Sequence, residues 1–426
     1  MKKTLAVAAV GAMFALSACG SSDGTSDKSA DSGKKTANIR VWLNGTDTPQ
    51  DARDWLKKTF EEQNPGSTLT IEQQEWDGLI EKLTTALSSD KETPDVVEVG
   101  NTQAPTFTTA GAFSDLSGDL ADLGGDDLLK GFVDGATIDG KTFAVPYYAG
   151  STYVFYRKDL FEKAGIDAVP TTTAEFVEDA VKLKQANPTP KSFSGFWLPG
   201  QDWRDGAAFV WNAGGDFAVA DGESWKGDLS SPESQEGLAQ VQRLFKEASA
   251  APADATEADP VTPFCAGEIG MMVRPGWVKG MLEDPKTGCP DLAKNLGVFP
   301  LPGADGKPAP VLLGGSDLGI SAKSQNQALA KKALALLLSD DYQSILAQHG
   351  LTPAKSSLAS KLGTDEYAQA TIAAASNAKL TPAAANWALI EGDRTLEDLF
   401  SQIAQGGDVK SLAQKADDHI AEVLDK

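Results

Sequence analysis

Apolar positions along the chain switch repeatedly between a strand period and a helix period. Residues 39–43 (IRVWL) form a short apolar run, and 50–63 carry Trp55, Leu56, Thr59 and Phe60 on one helical face. The same grammar predicts a strand over 68–73, a helix over 77–88, a strand over 95–99 and a helix ending near Gly111. Three strand–helix alternations with short connections imply a parallel sheet covered by helices. Ligands of such sheets sit beyond the carboxyl ends of the strands. Those ends are Asn44-Gly45-Thr46-Asp47, Glu75-Trp76-Asp77 and Gly100-Asn101-Thr102-Gln103, all polar and none cationic.

The middle of the chain breaks the alternation. After the turn signal Asp139-Gly140 comes a run rich in aromatic residues, FAVPYYAGSTYVFY, and then a short amphipathic helix stopping at Gly165. This reads as two fully buried strands with a bend at Gly150-Ser151, suited to a crossing between two lobes. Tyr147, Tyr148 and Tyr153 then either face the gap or sit half-buried in the core.

Alternation resumes beyond it. Thr172 and Glu175 form a capping box opening a helix over 173–185, and a strand follows at 193–198. A helix from about 202 to 212 stops at Gly214-Gly215, and Ser231-Pro232 opens another to Ala248. Residues 263–277 read as a short helix, a strand and a turn, 296–299 as a strand and 300–310 as a loop. A glycine break at Gly314-Gly315 separates two further strands, 311–313 and 318–320. Ser324 and Gln327 suggest a cap for a helix over 326–338, and the remainder reads as helix or turn.

Composition adds an address. Lys2 and Lys3, an apolar stretch from Leu5 to Leu16, and small residues leading into Cys19 form a three-part leader. The stretch is shorter than the ~20 residues a membrane span needs. Residues 20–37 hold nothing apolar larger than alanine and read as a flexible tether. Removing Lys2 and Lys3 from the 38 basic residues leaves 36 against 60 acidic ones. An acidic exported body disfavours nucleic acid and anionic membranes as partners. Cys265 and Cys289 remain as an even pair where oxidation is the default, and are expected to form a disulfide. Metal binding finds no support, since His349 and His419 have no spaced partners. Neither a Ser/His/Asp arrangement nor a phosphate-binding loop can be built, so no catalytic residue and no cofactor is expected.

The pieces VWLNGTD, TPDVVEVGNTQ, GKTFAVPYY, YVFYRKDLFEKAGI, PFCAGEIGMMVRPGW, PLPGADGK, GGSDLGIS and NWALIEGDRTLEDLF follow one another in an informative order. That order resembles the sugar-type solute-binding proteins of ABC importers related to the maltose-binding protein. The leader resembles a bacterial lipobox, which implies cleavage after residue 18, a lipid on Cys19 and display on the outer face of the cell membrane. The resemblance implies an α/β, two-lobed periplasmic-binding-protein-like fold with a hinge and C-terminal helices. Lobe 1 is expected over 38–148 with about 303–353, and lobe 2 over 149–302 with about 354–426. The implied function is binding of a neutral oligosaccharide of two or three units, without catalysis, by a monomer that delivers it to a membrane permease. A non-sugar solute such as ferric ion on the same fold, and an exported glycoside-processing enzyme, are the alternatives.

Sugar recognition takes flat aromatic faces for the C–H side of a ring and polar groups for its hydroxyls. Among nine tryptophans, Trp42 and Trp55 suit packing and Trp225 has no evident role. Trp277 and Trp387 match positions that, in the resembled family, stack on sugar. Trp76, Trp203 and Trp211 stand at element ends and are further candidates. The candidate polar groups are Asn44, Asp47, Asn101, Gln103, Tyr148, Ser151, Asp202, Ser316 and Asp317, with Gly315 allowing close backbone approach. Helix capping is the competing use for the Asp and Asn residues. Thr46-Asp47 departs from the Asp-Lys pair that follows Asn-Gly in the maltose type, so a different ligand geometry is implied.

Overall fold

The computed structural model describes residues 36–425 apart from 223, 257–259, 383 and 385; the leader, Cys19 and most of the tether lie outside the described residues. Strand β1 (Asn38–Asn44) pairs in parallel with β2 (Thr68–Gln74) and β3 (Val96–Gly100). The helix Gln50–Gln63 buries Ala52, Leu56 and Phe60, four residues apart, against this sheet. All five residues of β3 are buried, as a strand covered on both faces requires.

The central stretch forms one uninterrupted 14-residue strand, Ala144–Arg157, instead of two strands with a bend. It changes partners where the small residues lie. Ala144 to Ser151 pair with the returning strand Leu313–Ile320, whereas Thr152 to Tyr156 pair with Ile269–Pro275. Leu296–Phe299 adds to its far end, and Thr352–Pro353 to its first half. Strand Ser194–Trp197 closes the far edge in parallel with Ile269–Pro275. The long strand is therefore common to both halves of a nine-stranded sheet.

Residues 311–320 differ from expectation in a similar way: Leu313–Ile320 is continuous through Gly314-Gly315. Its irregularity lies instead between Ser316, opposite Tyr148, and Asp317, opposite Pro146. That bulge places Tyr147 as an extra residue on the long strand, so Tyr147 and Tyr148 both enter the same core. Tyr147, Tyr148 and Tyr153 are fully buried, all being at most 1% exposed, and Tyr156 is half-buried.

Helix starts follow their sequence signals closely. Thr172 and Glu175 form a complete capping box on Thr173–Ala186, and Ser231 caps Pro232–Glu247. Ser324 does not cap Gln327–Leu337; its hydroxyl donates to Asp95 instead, at 2.6 Å. The short strand Thr352–Pro353 also interrupts the expected all-helical end.

Apolar side chains segregate on the two sides of the partner change. Ile39, Leu56, Val96, Tyr147, Leu318 and Leu334 belong to one core, extended under the helix Leu79–Leu87 by Trp42, Val97 and Phe107. Phe155, Phe196, Trp203, Val241, Met271 and Phe400 belong to another. Ala309, Val311 and Leu312 pack in the second core and Leu318 in the first, which puts a second crossing near Leu313. Chain order, layers and sheet together make an α/β, two-lobed molecule with helices at its C-terminal end.

Candidate functional site

The carboxyl ends of β1 and β3 meet the long strand in a hydrogen-bonded cluster. Trp76 Nε1 donates to Asp47 Oδ2 at 3.0 Å, and the Tyr148 hydroxyl reaches the same oxygen at 3.3 Å. Tyr148 also donates to Glu98 Oε1 at 3.1 Å, whose second oxygen accepts the backbone N–H of Asn44 at 2.7 Å. Gly45 permits this arrangement: its φ is +50°, and a Cβ there would stand 2.9 Å from Trp76 Nε1. Burial raises the Asp47 carboxyl, opposed by the donors Trp76 and Tyr148. Burial pushes fully enclosed Glu98 up to about 7, with Ser316 and the Asn44 amide acting the other way. Glu98 was not among the sequence candidates; its one signal is a lone carboxylate in the apolar strand VVEVG.

Asn101 braces the neighbouring strand end. Its side-chain amide donates to Leu313 O at 3.0 Å and its backbone N–H to Gly315 O at 3.1 Å. Gly315 has φ +143°, and a Cβ would fall 2.3 Å from Tyr148 O, so glycine is obligatory here for packing. Ser151 donates to Thr371 O at 3.3 Å. Ser316 is buried beside Glu98, and Asp317 is 1% exposed one residue deeper in the strand. Burial alone holds the Asp317 carboxyl well above the usual range.

Buried side-chain oxygens without a donor include Asn44 Oδ1, Gln74 Oε1, Gln103 Oε1 and Asp317 Oδ1 in this part of the molecule, and Glu397 Oε2 beside Trp203. The Asn44 amide orientation is set by its Nδ2 donating to Glu98 O at 3.1 Å, so its oxygen is the end left over. Buried acceptors without donors are uncommon and costly. They suit a partner rich in O–H or N–H.

On the other side of the sheet, Asp202 caps the helix Trp203–Asn212 by accepting from Asp205 N. Arg274 at the end of its strand donates to Asp205 at 2.6 Å and to Asp202 at 3.4 Å. Trp203, Trp211 and Trp387 surround Phe217 edge-to-face, with ring centroids 5.6, 5.8 and 6.3 Å away. Their indole N–H groups are held by Glu397, Asp216 and Glu391 respectively. Trp387, expected at a sugar-stacking position, is 1% exposed within this aromatic cluster. Trp277 differs: it is half-buried and packs against both main cores. Trp76 is the most open of the candidates, 37% exposed.

The two walls touch where Thr102, in the turn after β3, donates to Glu391 Oε2 at 3.0 Å. Glu391 also lay outside the sequence candidates, although its place four residues after Trp387 on a helix was a usable signal. Among the described residues no group of three or more His, Cys, Asp or Glu is arranged to hold a metal, and no helix is long and apolar enough to cross a membrane. The Tyr147 and Tyr148 hydroxyls are both engaged within the protein, Tyr147 with Thr48 and Tyr342 and Tyr148 with Asp47 and Glu98. Cys265 and Cys289 are joined in a disulfide across the strand and helix that flank Trp277.

The diacetylchitobiose binding protein DasA of Streptomyces coelicolor is 35% identical to this chain over 401 residues, 92% of each chain. Among solved structures, the GacH receptor of Streptomyces glaucescens matches with TM-score 0.78 at 21% identity, covering 91% of this chain and 98% of that one. The sugar-binding protein MalE of Xanthomonas citri matches with TM-score 0.76 at 23% identity, covering 91% and 97%. Residues 44–344 match the bacterial extracellular solute-binding protein family, and the chain belongs to that family.

Proposed function

We propose that this protein is the extracellular receptor of an ABC importer for a neutral oligosaccharide of two or three units. The observation that carries this reading is the set of donor-less buried acceptors, Asn44 Oδ1, Gln103 Oε1 and Asp317 Oδ1, in the wall that also carries exposed Trp76. A sugar supplies many O–H donors and a C–H face, whereas an anion would meet oxygens of its own sign. The candidate contacts are Asn44, Asp47, Trp76, Asn101, Gln103, Tyr148, Ser151, Gly315, Ser316 and Asp317 on one wall. On the other they are Asp202, Trp203, Trp211, Trp277 and Trp387, with the buried tryptophans reached when the walls separate. The relative DasA is named for diacetylchitobiose, so N,N′-diacetylchitobiose is the first ligand to try.

In this reading, lobes spanning 38–148 with about 303–353, and 149–302 with about 354–426, close on the sugar. The closed monomer hands it to the permease without chemical change. A lipid on Cys19 holds the receptor on the outer face of the membrane, and Cys19→Ala is expected to release it from the membrane fraction.

A thermal-shift screen against chitin, xylan, cellulose and starch oligomers tests the reading. A ligand bound only by the folded state raises the melting temperature, by about 2.7 kcal/mol of stability at a hundredfold excess over Kd. Incubation with the same oligomers is expected to yield no product.

A further inference from the structure

Glu391 has a setting that its sequence neighbours do not share. Its side chain is only 6% exposed. Trp387 Nε1 donates to Oε1 at 2.8 Å, which fixes the carboxylate alongside the indole one helical turn away. Arg204 is ion-paired to Oε2 at 4.0 Å while its guanidinium lies over the Trp203 ring. Oε2 is served by Thr102, a residue from the opposite wall 289 positions away in sequence. Thr102 lies in a well-anchored turn: Asn101 on one side is tied to Leu313 and Gly315, and Gln103 N on the other to Gly100 O.

A carboxylate this enclosed needs a donor on each oxygen, since an unserved buried charge is expensive. The Trp387 donor travels with Glu391 on the same helix. The Thr102 donor belongs to the other wall and is lost whenever the walls part. A single hydroxyl is also what a sugar offers, and an acetamido N–H offers the same bond.

We propose that Glu391 is a specificity-determining acceptor for the ligand, and that Thr102 is a place-holder whose hydroxyl gives way to a donor of the sugar. This rests on the oligosaccharide reading above. It has a consequence for selectivity: a saccharide carrying a carboxylate at this point meets like charge and is refused, while one presenting O–H or N–H is accepted.

Calorimetric titration of wild type, Glu391→Gln and Thr102→Val with N,N′-diacetylchitobiose, and with the acidic disaccharide of glucuronic acid and N-acetylglucosamine, tests it. Wild type binds the first and refuses the second. Glu391→Gln weakens the neutral sugar about 10- to 100-fold, as expected for a lost hydrogen bond to a charged group, and binds the acidic one measurably. Thr102→Val, whose side chain keeps its shape, leaves neutral-sugar affinity equal or higher. Weakening of more than about threefold in Thr102→Val overturns the proposal, because the Thr102–Glu391 bond then persists in the complex as a latch. Unchanged binding and unchanged refusal in Glu391→Gln overturn it as well. If wild type binds no saccharide of the wider screen, the oligosaccharide reading fails first and this inference falls with it.

Discussion

Gly150 lies against the indole of Trp277: a Cβ at Gly150 would stand 2.7 Å from Cζ3 of the ring and 3.3 Å from Cη2. The contact joins the point where the long strand changes partners to the turn that ends the strand Ile269–Pro275. A glycine here is a seat for an aromatic plane. Gly150→Ala is therefore expected to displace the ring while leaving the strand paired. Tryptophan emission should shift, and sugar affinity should fall more than stability does. Unaltered affinity with an altered emission spectrum would detach Trp277 from the site.

Trp277 and Trp387 should separate cleanly on truncation. Half-buried Trp277 is the better candidate for a stacking surface, and Trp277→Ala should cost ~2–4 kcal/mol of binding, roughly 30- to 1,000-fold in Kd. Trp387 and Trp203 are enclosed around Phe217, so their loss should also cost ~3–5 kcal/mol of folding stability. Chemical denaturation of each variant without sugar, beside calorimetry with it, measures both quantities. A large stability loss in Trp277→Ala with normal binding would assign that ring to the core.

Asp317 gives a pH signature. Its carboxyl is raised well above the usual range by burial, so the folded state holds a proton that the unfolded state gives up at lower pH. Stability is then greatest below the ordinary carboxylate range and falls as pH rises from there toward the folded pKa. Asp317→Asn removes the penalty. Its melting temperature should match wild type near pH 4 and exceed it increasingly at higher pH. A gap that does not grow with pH would show that Asp317 ionises without cost.

The Cys265–Cys289 bond closes a loop with sequence separation 24 around Trp277. Chain-entropy arithmetic assigns such a loop ~3.5 kcal/mol. Unreduced Cys19→Ala protein should titrate no free thiol, and Cys265→Ser with Cys289→Ser should lower stability by up to about that amount. Two reactive thiols in the unreduced protein would contradict the pairing.

Much of the scaffold was legible because its signals are local. The box at Thr172 and Glu175, Pro232 after Ser231, and the helical face of Trp55, Leu56, Thr59 and Phe60, of which Leu56 and Phe60 are buried, each act within a turn or two. The ordered run of motifs carried the family. What escaped depends on distant partners. Gly150 and Ser151 looked like a bend because the sequence does not reveal that Trp277 lies on one of them. Tyr147 and Tyr148 share a core only through a bulge opposite Ser316 and Asp317. Glu98 and Glu391 are single carboxylates in apolar surroundings, and their meaning comes from Tyr148, Asn44 and Thr102, each at least 50 residues away. Trp203, Trp211 and Trp387 stand at element ends in sequence yet converge on Phe217 in space.

The most direct test of the account is calorimetric titration of the purified protein with N,N′-diacetylchitobiose and with cellobiose, maltose and xylobiose. The account predicts saturable binding of at least one of them at one sugar per chain, abolished or severely weakened in Trp277→Ala. Heat of dilution alone across the whole set, from protein shown by its melting transition to be folded, would contradict it.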